Sequence, residues 1–200
     1  MKQVLIALAI MTSTTGPVYA DRDESPEYVE LTQVIAAGTG CPATDNGDAV
    51  LYADSFLILN LDRMTASAGD GADLRDGRKA CQFLLELDYP AGWTFRVESV
   101  QTLARARVDE GTSATTVFTS YFQGDEVEAR AETVFEGPLR GREEINEELL
   151  GEYAPCDADA TRALNIKSEV RAHANRRGDD SARITLEGPV AVLLSWKRCE

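Results

Sequence analysis

Four cysteines are the residues of this sequence whose type and spacing most clearly predict chemistry. Cys41, Cys81, Cys156 and Cys199 form an even set, and none of their spacings resembles a Cys-x-x-Cys metal motif. In an exported chain such a set favours disulfides over a zinc site, and four cysteines allow three pairings. Joining neighbours along the chain would close two loops of about 40 residues, each stabilising the fold by roughly 4 kcal/mol. The crossed and nested pairings stay open.

Catalytic residue types are scarce or uninformative. His173 is the only histidine, and its surroundings do not mark it as a catalytic base. Oxidation of all four cysteines would also exclude thiolate chemistry. Two carboxylates such as Glu86 and Glu98 could hydrolyse a glycosidic bond, but with 34 acidic residues such pairs are abundant. We therefore expect a non-enzymatic protein, with a carboxylate-based extracellular glycan hydrolase as the alternative.

The acidic, glycine-rich segment 62–77 is the candidate for a metal site. Its aspartates could supply oxygen ligands to calcium, although the spacing of an EF-hand is absent and basic neighbours neutralise much of the charge. A solvated loop between strands is the favoured interpretation. We expect no cofactor, and the secondary hypothesis of a calcium site rests on Asp62, Asp70, Asp73 and Asp76.

Aromatic side chains are the candidate ligand contacts, because sugar rings stack on them and because Trp and Tyr dominate binding hot spots. Tyr89, Trp93 and Tyr121 lie at predicted strand ends or in turns, whereas Trp196 alternates with apolar residues and is expected in the core. Core packing is also favoured for Trp93, since large aromatic side chains are usually buried. The expected partner is an extracellular polysaccharide or a cell-envelope component. A structural or inhibitory protein acting on a protein partner is the further alternative.

The first 20 residues predict export. A positive charge precedes the apolar run 4–11, and small residues end the segment at Ala20, which is the pattern of a signal peptide cleaved after that residue. Residues 21–30 are charged and contain a proline, so we expect a flexible N-terminus before a single domain at 31–200. The mature protein is expected to be secreted or periplasmic, and no later apolar stretch is long enough to span a bilayer.

The charge of the chain is strongly acidic. It carries 34 acidic and 20 basic residues, which gives a formal net charge of −14 at pH 7. Such a field repels the phosphates of nucleic acid and the headgroups of anionic lipid. We therefore expect no nucleic acid partner, unless local charge runs against the total.

Strands must position these residues, because apolar side chains alternate with polar ones along most of the chain. The odd-numbered positions of 83–89 are apolar, the order Tyr-Pro-Ala-Gly at 89–92 suits a type I turn, and 93–98 resumes the alternation, which predicts a hairpin. Eight or more such strands predict an all-β fold, an antiparallel β-sandwich of jelly-roll or immunoglobulin-like type. Within 142–152, Ile145 and Leu149 are four residues apart among good helix formers, so a short helix is expected there.

Seven short motifs occur in a characteristic order along the chain: Gly38-Thr39-Gly40-Cys41-Pro42, Arg78-Lys79-Ala80-Cys81-Gln82, Tyr89-Pro90-Ala91-Gly92-Trp93, Tyr121-Phe122-Gln123-Gly124, Phe135-Glu136-Gly137-Pro138, Leu164-Asn165-Ile166 and Trp196-Lys197-Arg198-Cys199. This ordered set resembles the secreted family known as domain of unknown function 4360, and the resemblance runs from about Gly38 to Cys199. It implies a small exported β-rich domain. The family has no assigned activity, so the resemblance supplies no catalytic residues.

Overall fold

The computed structural model describes residues 25–44, 49–61, 64–69, 71–125, 128–156, 162–175 and 179–200. The predicted signal peptide lies outside these residues, so its cleavage after Ala20 stays a prediction. Within the described ranges, the only helical element is a 3-10 turn at Leu74–Gly77. None of the helices in this part of the chain has the length and apolar character needed to cross a membrane.

The rest of the regular structure is strand. In chain order the strands are β1 (Glu30–Gly38), β2 (Cys41–Thr44), β3 (Ala49–Tyr52), β4 (Phe56–Leu59), β5 (Thr65–Ala68), β6 (Arg78–Asp88), β7 (Trp93–Val108), β8 (Ser113–Phe122), β9 (Ala129–Glu136), β10 (Leu139–Glu148), β11 (Leu164–His173), β12 (Ala182–Leu186) and β13 (Val190–Arg198). They form two antiparallel sheets.

The first sheet has six strands in the order β2-β1-β6-β11-β8-β9. The second has seven strands, and the long strand β7 is at its centre. Strand β10 pairs along one side of β7, while β12 and β13 follow one another along its other side and are flanked by β5 and β4. Strand β3 completes the sheet beside β4. We call these the six-stranded and seven-stranded sheets.

The inner faces of the two sheets form one apolar core. Its largest fully buried side chains include Phe83 of β6, Phe95 of β7 and Phe118 of β8. In β6 the buried positions alternate with half-buried ones, as the sequence predicts for a strand with one face on the core. The prediction of an all-β antiparallel sandwich is thus confirmed.

Two disulfides link elements that are distant in sequence. Cys41 of β2 is bonded to Cys81 of β6, and Cys156 is bonded to Cys199, which follows β13. All four cysteines of the chain are paired in this way. Of the three pairings that the sequence left open, the structure contains the one that joins neighbouring cysteines, so no thiolate is available for catalysis.

The predicted helix within residues 142–152 is wrong, because this segment contains most of β10. Strand β10 pairs with β7 along its whole length, from Leu139 opposite Val108 to Glu148 opposite Ser99. The spacing of Ile145 and Leu149 misled the prediction, since positions four apart lie on one face of a strand as well as on one face of a helix. A ladder of ten residue pairs outweighs the weak helix propensity of the segment.

The predicted hairpin at residues 89–92 is also wrong. A turn is present there, with Gly92 at a φ of 81°, but β6 and β7 belong to different sheets. The turn therefore carries the chain across the core from one sheet to the other. For the same reason Glu86 and Glu98 do not lie across from one another on a shared surface, and this candidate hydrolytic pair is not formed.

Candidate functional site

A groove crosses the outer face of the six-stranded sheet. It encloses about 420 Å³, and its lining includes Gln82, Tyr121, Arg130, Lys167, Glu169 and Arg171. These side chains come from four neighbouring strands, β6, β11, β8 and β9. We call this surface the polar groove.

Strand register assembles the groove. One row across the sheet places Gln82 opposite Lys167, Lys167 opposite Thr119, and Thr119 opposite Arg130. The next row places Asn165 opposite Tyr121. Because side chains two residues apart share a face of a strand, the polar residues at alternate positions all point away from the core.

A hydrogen-bonded amide network forms the floor at one end of the groove. The Nε2 amide of Gln82 donates to the Tyr121 hydroxyl at 3.0 Å and to Oδ1 of Asn165 at 2.9 Å. Asn165 is only 4% exposed. The Tyr121 hydroxyl accepts one of these bonds and keeps its own hydrogen for donation. The network therefore orients an aromatic ring and planar polar groups before any ligand is bound.

A buried carboxylate occupies the middle of the groove. The side chain of Glu169 is 2% exposed, and it accepts hydrogen bonds from Arg78 at 2.7 Å and from Arg171, with the Lys167 ammonium at 3.3 Å. Burial alone would raise the pKa of Glu169, but the hydrogen bonds from these cations outweigh it and lower the pKa from 4.5 to about 2. Glu169 is therefore ionised at neutral pH and holds three cations in place.

The three aromatic candidates do not come together. Tyr121 lines the polar groove. Tyr89 packs edge-on against Phe95 and Trp196, with ring centroids 5.5 and 5.1 Å apart, and burial raises the pKa of its hydroxyl. Trp93 is 5% exposed, and the Arg198 guanidinium covers its ring at 4.2 Å. A joint binding surface formed by these three rings is thus absent from this structure.

The calcium candidates are only partly described, because Asp62 and Asp70 lie outside the described residues. Asp73 caps the 3-10 turn by accepting the backbone N–H of Arg75 at 2.9 Å. Asp76 accepts a hydrogen bond from the Lys79 ammonium at 2.8 Å. Where the structure describes the chain, no cluster of three or more His, Cys, Asp or Glu side chains could hold a metal ion. Calcium binding stays an untested hypothesis.

Most groove residues were missed by sequence reasoning, although a signal for them exists. Strand β11 carries polar residues at every odd-numbered position from Asn165 to His173, while its even-numbered positions are mostly apolar. That alternation predicts one wholly polar face. What it does not predict is which strands lie beside β11, and hence that Gln82 and Tyr121 meet Asn165.

An exposed aromatic pair in the seven-stranded sheet was also missed. Tyr52 and Phe56 are direct cross-strand partners in the β3–β4 hairpin, and Tyr52 is 70% exposed. Val50, on the same strand face as Tyr52, is exposed as well. The alternation of Val50 and Tyr52 is visible in the sequence, but their exposure follows from the position of β3 at the sheet edge.

Comparison with known structures finds only faint likeness. A chain of the heated full particle of Israeli acute paralysis virus aligns with a TM-score of 0.26 and 12% identity, over 99% of this chain and 85% of that one. The family 11 carbohydrate-binding module of Clostridium thermocellum, solved with a mixed-linked tetrasaccharide, aligns with a TM-score of 0.25 and 9% identity, over 83% and 86% of the two chains. At such scores neither likeness carries an argument.

Sequence comparison is more informative. A relative from Arthroderma benhamiae, described as an uncharacterized secreted protein, is 31% identical in an alignment of 185 residues that covers 87% of this chain and 73% of the relative. The family model described as domain of unknown function (DUF4360) matches residues 27–199. The resemblance seen in the ordered motifs is therefore confirmed, and the chain belongs to the DUF4360 family.

Proposed function

We propose that this protein is an exported, single-domain binding protein without enzymatic activity, and that its polar groove receives a polysaccharide or a cell-envelope glycan. The observation that carries the proposal is the Gln82–Tyr121–Asn165 network at the floor of the groove. Sugars present hydroxyl groups that donate and accept hydrogen bonds, and they also present apolar ring faces that stack on aromatic side chains. A preoriented tyrosine beside two amides suits both features.

Export is the second part of the proposal. The predicted signal peptide, the two disulfides and the description of the Arthroderma benhamiae relative as secreted all support it. Cleavage after Ala20 would leave a chain that begins at Asp21. Mass spectrometry of the protein recovered from its natural source tests that site, and a mature N-terminus elsewhere would contradict it.

The hydrolase alternative has less support. A glycosidase of this kind needs a general acid whose pKa is raised above that of an ordinary carboxyl group. The carboxyl groups with a shifted pKa in the described part of the chain are Asp109, Glu169 and Glu187, and all three shifts are downward. His173 is exposed at the end of β11.

The test is affinity electrophoresis of residues 21–200 in gels that contain neutral polysaccharides, namely mannan, xylan and β-1,3-glucan. We expect at least one gel to retard the protein, and we expect Tyr121→Ala or Gln82→Ala to weaken the interaction about tenfold. Tyr28→Ala is the matched control, because Tyr28 is exposed and does not line the groove.

Two outcomes would overturn the proposal. The first is the absence of retardation in every gel. The second is retardation that survives Tyr121→Ala and Gln82→Ala. If the double variant Tyr52→Ala with Phe56→Ala abolished retardation instead, the β3–β4 hairpin would be the binding surface. Release of reducing sugar by the purified protein would favour the hydrolase.

A further inference from the structure

Five arginines lie together on the outer face of the seven-stranded sheet. They come from three neighbouring strands: Arg140 and Arg142 from β10, Arg105 and Arg107 from β7, and Arg183 from β12. Their neighbours Ala104, Ala106, Ala182 and Ile184 are buried in the core, so the arginines point outward. We call this surface the arginine face. It is notable in a chain whose formal net charge is −14.

Strand register sets these arginines directly against one another. Arg140 is opposite Arg107, and Arg107 is in turn opposite Arg183. In the next row Arg142 is opposite Arg105. Neighbouring strands are only about 4.8 Å apart, and like charges at directly opposed positions destabilise a sheet. The arrangement therefore works against folding.

Acidic side chains of the protein neutralise only part of this positive charge. Glu187 accepts from Arg105 at 2.5 Å and from Arg142 at 2.8 Å, and Asp109 accepts from Arg140 at 3.1 Å. Arg107 and Arg183 are exposed, and within the described part of the chain neither makes an ion pair. Three of the five arginines thus contact two carboxylates, although Glu144 lies one row further along, opposite Leu103.

A cavity of about 300 Å³ opens between these side chains. It is lined by Arg105, Arg107, Arg183, Thr65, Thr185 and Glu187. The hydroxyls of Thr65 and Thr185 are bonded to one another at 2.9 Å. Guanidinium groups beside hydroxyls suit an oxyanion, because the planar fork of arginine matches carboxylate and sulfate oxygens in a bidentate manner.

We propose that the arginine face binds an acidic polysaccharide through the carboxylate or sulfate groups of successive sugar residues. The row Arg140–Arg107–Arg183 spans two strand spacings, about 10 Å, which suits repeated anionic groups better than one small anion. Nucleic acid fits less well, because none of the described residues that line the cavity is aromatic, and a base would therefore have no ring on which to stack. This site is on the sheet opposite the polar groove, and the inference does not rest on the groove's proposed function.

The test is binding of residues 21–200 to heparin and to polygalacturonate, with dextran as the neutral reference. We expect retention on at least one acidic polysaccharide at low salt, no retention on dextran, and weakening as salt screens the charges. The double variant Arg107→Gln with Arg183→Gln should bind at least tenfold more weakly. Both residues are exposed, and the melting temperature should not fall, so lost binding would not reflect unfolding.

The matched control is Arg75→Gln with Lys197→Gln, which removes the same number of positive charges elsewhere on the surface. Equal weakening by the control, or undiminished binding by the arginine variant, would overturn the proposal. So would equally tight binding to poly-L-glutamate or to single-stranded DNA, since the face would then recognise charge alone. Tyr121→Ala should leave this binding unchanged, which separates it from a failure of the polar groove.

Discussion

The two outer faces of the sandwich use the same charged residue types to opposite effect. In the polar groove, one buried carboxylate, Glu169, gathers Arg78, Lys167 and Arg171 around itself. On the arginine face, the register sets arginine against arginine, and Arg107 and Arg183 are left without an ion pair in the described part of the chain. The groove completes its charge network within the fold, whereas the arginine face leaves positive charge available to a ligand.

This difference separates two roles of charged residues, because the Glu169 network supports stability whereas Arg107 and Arg183 are available to bind an anion. Removing a member of the Glu169 network should destabilise the protein, because buried charges are costly once their partners are lost. Removing an unpaired arginine should cost no stability and should reduce affinity for an anion. Substitutions in the Glu169 network should therefore change mainly the stability of the protein, and substitutions on the arginine face should change mainly its affinity for an anion.

The largest expected effect tests whether the faces are independent. Cys41 and Cys81 tie β2 to β6 within the six-stranded sheet, and the bond closes a loop of 40 residues in sequence separation. Replacing both by serine should lower the free energy of unfolding by about 4 kcal/mol in the chain-entropy model. Urea denaturation measures the change.

Binding to heparin or polygalacturonate should survive that change at temperatures where the double variant is folded, since the arginine face is in the other sheet. Loss of this binding from a folded variant would show that the two faces are coupled. The two faces would then not act independently.

The second-largest expected effect is the contribution of the Glu169 carboxylate to the stability of the protein. Its pKa is about 2 in the folded protein against 4.5 ordinarily, so its ionised form favours folding by about 3 kcal/mol at neutral pH. This contribution is complete above pH 4.5 and is lost as the pH falls to about 2. Glu169→Gln resembles the protonated form and should therefore be about 3 kcal/mol less stable than the wild type at pH 7.

The stabilities of wild type and Glu169→Gln should converge as the pH is lowered from 4.5 to 2, which thermal unfolding at a series of pH values measures. Glu128→Gln is the matched control, because Glu128 lines the same groove but is exposed. It should change stability little. A constant gap between Glu169→Gln and wild type across this range would contradict the role assigned to the carboxylate.

The smallest expected effect is a gain in stability, whereas the two larger effects are losses. Arg107→Gln removes the central charge of the Arg140–Arg107–Arg183 row, so at low salt it should stabilise the protein by about 0.5 kcal/mol. The gain should shrink at high salt, where the repulsion is screened. Thermal unfolding at two salt concentrations checks it. A loss of stability would mean that Arg107 has a structural role and would weaken the contrast between the faces.

Much of the fold could be predicted from local patterns, and the two errors have one cause. Alternation identified the strands, since a strand has a short and regular period. It failed at 89–92 and at 142–152, where the outcome depends on partners distant in the chain. The turn at 89–92 changes sheets, and the segment containing Ile145 becomes a strand because β7 pairs with it.

The site was less predictable. Tyr121 was identified from its residue type. The contribution of Gln82, Asn165 and Glu169 to the site depends on which residues lie beside them on neighbouring strands. The arginine face had a visible trace in the repeats Arg105-Ala106-Arg107 and Arg140-Gly141-Arg142, whose spacing of two places both arginines on one strand face. The formal net charge of −14 for the whole chain gives no sign of this local concentration of positive charge.

The sequence by itself determined the all-β class, the family and which residues share a face of each strand, because these depend on composition, ordered motifs and short-range alternation. The tertiary structure decided which faces meet. Arg140, Arg107 and Arg183 become neighbours only through the register of β10, β7 and β12, and Glu169 finds Arg78 only through that of β11 and β6. Register is a long-range property, set by core packing between strands far apart in the chain.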